Sequence, residues 1–219
     1  MAGDYPTLLL PASAAFAIWT PIYLAMTALA VRQWLPAQRA RQVHRRTGWW
    51  LAAAGVLNAA WIVMFTQRWV VLSEIVIVAL LGCLIVVFGR LSRTPAVGWT
   101  DRLLLHTPVA LYAGWVTAAT VVGAASAGLA AGITVSGPAA ITLAVLALVA
   151  VGAVAGWAVG TRSAVAAYAA AIVWALTWIA PRTEATAVLV AALVIATALV
   201  ATVAARLLCD RDPARAAAG

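Results

Sequence analysis

Aromatic and polar side chains recur at helical spacing inside three long apolar stretches of this chain. Trp19, Thr20, Pro21 and Tyr23 fall within five residues, and the spacing of four puts the rings of Trp19 and Tyr23 on one helix face. Pro21 removes a backbone hydrogen bond and is expected to kink the helix that carries it. Asn58, Trp61 and Phe65 follow one another at intervals of three and four, and Tyr112 and Trp115 are three apart with Thr117 and Thr120 close behind. Contact with lipid tails is satisfied equally well by Leu, so these groups point to a use inside a bundle. Buried Tyr, Trp and Asn need hydrogen-bond partners. They either satisfy one another or line a pocket in which Trp19, Trp61 and Trp115 form flat apolar walls and Tyr23, Asn58 and Tyr112 orient a ligand's polar edge.

Glu74 is the one acidic residue inside an apolar stretch. A carboxylate at membrane depth is costly and is a functional candidate by default, able to pair with a ligand cation, gate entry or relay a proton. The competing reading is a Glu that snorkels to the interface and pairs with Arg68 or Arg182. His106 reads as an interface residue rather than a metal ligand. No Ser-His-Asp set, no H-E-x-x-H and no carboxylate pair lies in the apolar stretches, so hydrolytic and metal chemistry lack their usual groups. Cys83 and Cys209 are too far apart in kind and place to form a disulfide framework.

The elements that must position these residues are membrane helices. Of the 219 residues, 66% are hydrophobic and only 9% charged, with a mean hydropathy of +1.04; soluble domains are about half apolar and about a quarter charged. All fourteen basic residues are Arg, and the absence of Lys excludes Schiff-base chemistry, a retinal pigment included. The net charge of +8 sits in short loops beside apolar runs, which indicates topology rather than a nucleic-acid partner. A bilayer core takes about 20 apolar residues per helix, and seven segments qualify: 7–34, 47–66, 69–89, 103–125, 138–160, 163–181 and 185–208. The sixth is the weakest. Met1 to Pro6 carries no positive n-region, so the first segment reads as a retained helix. With seven crossings, Arg68 and Arg182 fall on one side and the other twelve arginines on the opposite side, which puts the N-terminus outside and the C-terminus in the cytoplasm. The expectation is an all-α, polytopic bundle over 1–208 in the inner (plasma) membrane, with a frayed cytoplasmic tail over 209–219.

Connections are short apart from 35–46, 90–102 and 126–137. The last divides a decorated four-helix part, 1–125, from three plainer helices, 138–208. Trp34, Trp49, Trp50, Trp69, Trp99, Trp157 and Trp178 fall near segment ends, as an interfacial belt requires; Trp19, Trp61, Trp115 and Trp174 lie deeper. Gly152, Gly156 and Gly160, with Gly128 and Gly132 ahead of them, make small-residue ridges that set how helices pack or where two protomers of a homodimer meet.

The decorated part resembles the tryptophan-rich sensory protein and translocator protein family (TspO/MBR). Trp19-Thr20-x-x-Tyr23-x-x-Met26 resembles its first-helix W-T-x-x-Y-x-x-M, and Leu57-Asn58-x-x-Trp61 its second-helix L-N-x-x-W, with Phe65 near the family's aromatic pair. Glu74 falls where the family carries an acid early in helix 3, and Tyr112-x-x-Trp115-Val116-Thr117-x-Ala119-Thr120 is similar to its fourth-helix motif. The resemblance covers about residues 12–122. It implies a protein binding tetrapyrroles such as protoporphyrin or haem, or sterol-like apolar ligands, between helices 1, 2 and 4, with no obligatory cofactor. Ligand transport, stress-linked sensing and porphyrin breakdown are the roles it implies. This chain departs from the family in having seven segments where five are usual, Val63 where a Pro is expected, Pro108 displaced ahead of Tyr112, and Val122 in place of an Asn. The alternative function is a small proton-coupled transporter working through Glu74.

Overall fold

The structure, a computed structural model, describes residues 7–219; the reading of Met1 to Pro6 lies outside them. Among the described residues the chain is all-helical. A 3-10 turn, Ser13–Ile18, leads into α1 (Trp19–Gln33), followed by α2 (Gln42–Thr66), α3 (Val70–Ser92), α4 (Thr107–Ala130), α5 (Gly137–Thr161), α6 (Val165–Ile179) and α7 (Thr186–Cys209). A short helix, Pro213–Ala218, closes the chain. In a bilayer each backbone N–H and C=O must be paired within its own segment, and helices do this without help from water.

Among the described residues six spans are long and apolar enough to cross a membrane, α1 counted together with the 3-10 turn before it (Ser13–Gln33); α6, at 15 residues with no such extension, is shorter. At about 1.5 Å per residue α6 covers about 22 Å, yet it runs from one end of the bundle to the other. Ser163 N–H, just before it, donates to Ser92 Oγ at the end of α3 (3.4 Å), and near its finish the Trp178 carbonyl accepts from Ala12 N–H ahead of α1 (2.9 Å). The chain can use a short helix here because α6 is the enclosed one. Tyr168, Ile172, Ala175, Leu176 and Ile179 are all buried, against neighbours α4, α5 and α7.

Pro21 does not kink a helix interior. It sits in the first turn of α1, where the chain changes from 3-10 to α pitch and a missing N–H costs little. The helices also outrun several expected boundaries. α4 continues to Ala130, so the loop expected over 126–137 shrinks, and α2 begins at Gln42 inside the connection expected over 35–46. The hydrophobic run marks where lipid ends, whereas the helix continues for as long as its backbone pairing does.

The tail expected to fray is docked. Ala216 is buried, Arg102 Nε donates to the Gly219 carbonyl (2.9 Å), and Ala164 N–H donates to the Arg215 carbonyl (3.4 Å). These contacts gather the Arg-rich ends of α3, α4, α6 and α7. Arg90 donates to the Arg46 carbonyl at the same end.

Small residues set the closest approaches. A methyl on Gly114 of α4 would overlap the Tyr168 carbonyl of α6, so these two backbones touch. Above that contact Tyr168 accepts or donates a hydrogen bond with Thr117 (3.2 Å) and stacks on Phe88 (5.2 Å between centroids). Gly152 faces Ile195 of α7, where a methyl would lie 2.8 Å from Cγ2, whereas nothing lies within 4 Å of Gly156 or Gly160.

The belt tryptophans behave as the sequence suggests, with one exception. Trp34, Trp50, Trp99 and Trp157 are exposed, and each carries an Arg over its ring, Arg39, Arg90, Arg102 and Arg162, at 4.9–5.9 Å. Trp178 instead packs inward against the core and its neighbour Trp174, 5.5 Å away.

Candidate functional site

Trp19 is the hub of the site. Its ring stacks on Tyr23 (5.2 Å), lies 5.5 Å from Trp61 of α2, and meets Tyr112 and Trp115 of α4 edge-on at 5.8 and 6.1 Å. Trp61 stacks in turn on Phe65 (5.3 Å), and Phe16 of the 3-10 turn meets Trp115 edge-on (6.1 Å). The rings therefore converge from three helices at one depth. Such offset and edge-to-face pairs contribute about 0.5–1.5 kcal/mol each beyond their burial.

On one side of this cluster the rings are closed against each other. Asn58 is buried, its Nδ2 donates to Tyr23 Oη (3.1 Å), and Tyr112 is buried with them. Tyr23, Asn58 and Tyr112 do not line the cavity on the other side of the cluster; the first two bond each other, and Asn58 Oδ1 is buried without a partner.

The other side is hollow. A cavity of about 80 Å³ is bordered by Phe16 and Trp19, by Trp61 and Phe65, by Ser73, Glu74 and Ile77 of α3, and by Trp115 to Ser126 of α4. Trp19, Trp61, Phe65, Glu74 and Trp115 thus meet around one space, and α3 joins helices 1, 2 and 4 as a wall. Two polar atoms in it are buried without a hydrogen-bond partner, Glu74 Oε1 and Trp115 Nε1. No ion pair reaches Glu74 among the described residues, so it is joined to neither Arg68 nor Arg182. The hydroxyls that line the cavity are turned back onto their own helices, Ser73 to the Val70 carbonyl (2.8 Å) and Ser126 to that of Val122 (3.3 Å).

Gly123 of α4, not singled out in the sequence, makes the room for the acid: a methyl there would overlap Glu74 Oε2. One glycine among many in small-residue helices gives no sequence signal, because its importance depends on which way the helix is rotated. Phe16 adds a wall from the 3-10 turn, ahead of the W-T-x-x-Y pattern.

A broader groove, of about 1020 Å³, lies between the diverging α4 and α5, with Arg182 and Glu184 at its rim. Its walls are mostly Ala, Gly, Val, Leu and Ile, with Thr7, Thr120 and Thr183 among them and no aromatic ring, which is a surface lipid tails can fill. The smaller cavity brings aromatic faces together with an unpaired carboxylate oxygen and indole N–H and is the better candidate.

A second buried polar centre lies at the Arg-rich end. Asp101 is 1% exposed. It is held in a bidentate fork by Arg41, with Nη1 at 2.7 Å from Oδ1, and it is also bonded by Arg32 and by Val97 N–H (3.0 Å). The Asp101 carboxylate keeps the Arg41 guanidinium above its ordinary pKa through that hydrogen bond. Next to it a π-helical turn, Arg102–His106, brings His106 into the interior, beneath Gly219. Asp101 carries no local sequence signal, and His106, expected at the interface, is instead 2% exposed because the π-helical turn rotates it inward. No group of His, Cys, Asp or Glu among the described residues could hold a metal, and both cysteines are free.

A family model described as TSPO-like protein matches residues 1–205, which takes in α5, α6 and most of α7 as well as the aromatic helices. No match was found among curated proteins or among solved structures.

Proposed function

The chain belongs to the TSPO-like protein family, and from that footing we propose that it is a multi-pass plasma-membrane protein, Arg-rich end in the cytoplasm, that binds a flat apolar ligand of tetrapyrrole or sterol-like kind for transport or sensing. The observation that supports this best is the convergence of Trp19, Trp61, Phe65 and Trp115 around a cavity with two buried, unpartnered polar atoms. Native structures leave few such atoms without partners, and those that remain call for an explanation. A ligand that lies against the rings and pairs with them supplies one.

At about 80 Å³ the cavity is below the ~300–1,000 Å³ of ligand pockets. A macrocycle or sterol enters by moving rings. Trp61 and Phe65 are the ones free to swing, being only partly buried, whereas Trp115 is 2% exposed and fixed. Binding therefore opens the α1–α2–α3 side and uses Trp115 as the floor.

The test is a titration of the purified protein with protoporphyrin and with haem, followed by quenching of Trp fluorescence. Saturable quenching in the wild type, lost in Trp61→Ala/Trp115→Ala, is the expected result. Equal quenching by a folded double variant overturns the aromatic site. A proton-coupled transporter is the second reading, favoured by the unpaired Glu74. Proton flux in proteoliposomes that survives Glu74→Gln removes it.

A further inference from the structure

Two polar atoms of the cavity that houses Glu74 stand unpartnered, a carboxylate oxygen of Glu74 and the indole N–H of Trp115. The hydroxyls in the wall, those of Ser73 and Ser126, are committed to their own helices, and among the described residues no cationic side chain borders the space, so the carboxylate is the one charged group in it. The remaining wall is apolar, with the rings of Phe16, Trp19, Trp61, Phe65 and Trp115 set among aliphatic side chains. A carboxylate and several ring faces around one small space both attract positive charge, the rings through their quadrupole and the carboxylate through charge-assisted hydrogen bonds.

We infer that the cavity recognises a protonated amine: its ligand is a flat apolar molecule bearing an ammonium group, which Glu74 receives while the faces of Trp61, Phe65 and Trp115 enclose it. This rests on the reading of the cavity as a ligand site and narrows that reading to basic ligands. The size agrees. A water takes about 30 Å³ of liquid and benzene enters a dry cavity of about 150 Å³, so about 80 Å³ suits an ammonium head and not a ring. An ammonium brings three donors, whereas a ligand hydroxyl brings one and no charge. Gly123 supports the assignment, because the chain keeps a gap in α4 at the one place where a methyl would displace the carboxylate.

The probes are 1-pyrenemethylammonium and its neutral isostere 1-ethylpyrene, with Trp-to-pyrene energy transfer read in nanodisc-reconstituted full-length protein. Wild type is expected to bind the ammonium at least about tenfold more tightly than the isostere, the scale of a desolvated charge-assisted contact. Glu74→Gln should abolish that preference, the two probes then binding with equal affinity. Gly123→Ala, which leaves the acid in the chain but pushes its carboxylate aside, should reduce the preference. A circular-dichroism melt of each variant confirms folding. Saturable binding of both probes with equal affinity, or a preference that persists in Glu74→Gln, overturns the inference while leaving an aromatic ligand site in place. No saturable binding of either probe overturns both.

Discussion

Two carboxylates lie within this bundle and their surroundings are opposite. Asp101, at the Arg-rich end, is held by two guanidinium groups and a backbone N–H. Glu74, in the aromatic half, has no such partner among the described residues, and one of its oxygens is buried without a hydrogen bond. A buried charge whose hydrogen bonds are all made has nothing left for a ligand and acts as a clamp. Asp101 ties the end of α1 and the start of α2 to the turn before α4. A buried acid whose bonds are not made is held there by the rest of the fold. That difference separates structure from site more sharply than depth or residue type does.

Breaking the clamp has the largest expected effect. Asp101→Asn leaves Arg32, itself 8% exposed, with an uncompensated charge; a loss of about 3–5 kcal/mol is expected, read as a fall in the thermal midpoint by circular dichroism. Removing both charges as Arg32→Met/Asp101→Leu should recover much of it. A midpoint for Asp101→Asn equal to that of the wild type would mean the pair does not hold the structure together.

The α4–α6 contact comes next. Gly114→Ala forces a methyl into the Tyr168 backbone carbonyl and should cost about 1–3 kcal/mol, whereas Gly156→Ala, with open space around it, should be neutral or slightly stabilising because Ala is the better helix former. Equal melting of these two variants would show that the helices do not meet as described. Smaller still is Tyr23→Phe, which leaves the Asn58 amide without its partner and should lower stability by about 0.5–1.5 kcal/mol.

Glu74→Gln completes the comparison from the other side. With no partner to lose and an uncompensated charge removed, it should leave stability unchanged or raise it, a contrast in sign with Asp101→Asn measurable in the same melts. A large destabilisation on Glu74→Gln would make the two acids alike and remove the distinction.

Much of this was legible in the sequence. The 3.6-residue period and the hydropathy mark each helix, and the spacing of Trp19, Tyr23, Asn58, Trp61 and Phe65 is local, so their shared faces could be read before any fold. Tyr112, Trp115 and Glu74 followed from chemistry, since each is a type that lipid does not reward. What stayed hidden depends on long-range pairing or on helix rotation. Asp101 meets Arg41 and Arg32 across 60 and 69 residues, and no local pattern announces such a partner. Gly114 and Gly123 look like any small residue until the neighbouring helix is in place. That Tyr23 and Asn58 face each other rather than the hollow was also beyond periodicity, which gives a face but not its occupant.

The central claim is that the space among Trp19, Trp61, Trp115 and Glu74 exists to be filled. The most direct measurement is a high-resolution density map of the protein purified from its native membrane without added ligand. The account predicts non-protein density flanked by the rings of Trp61 and Trp115 and touching the Glu74 carboxylate. Rings packed face to face with no hollow between them, and Glu74 joined to an arginine, would contradict it.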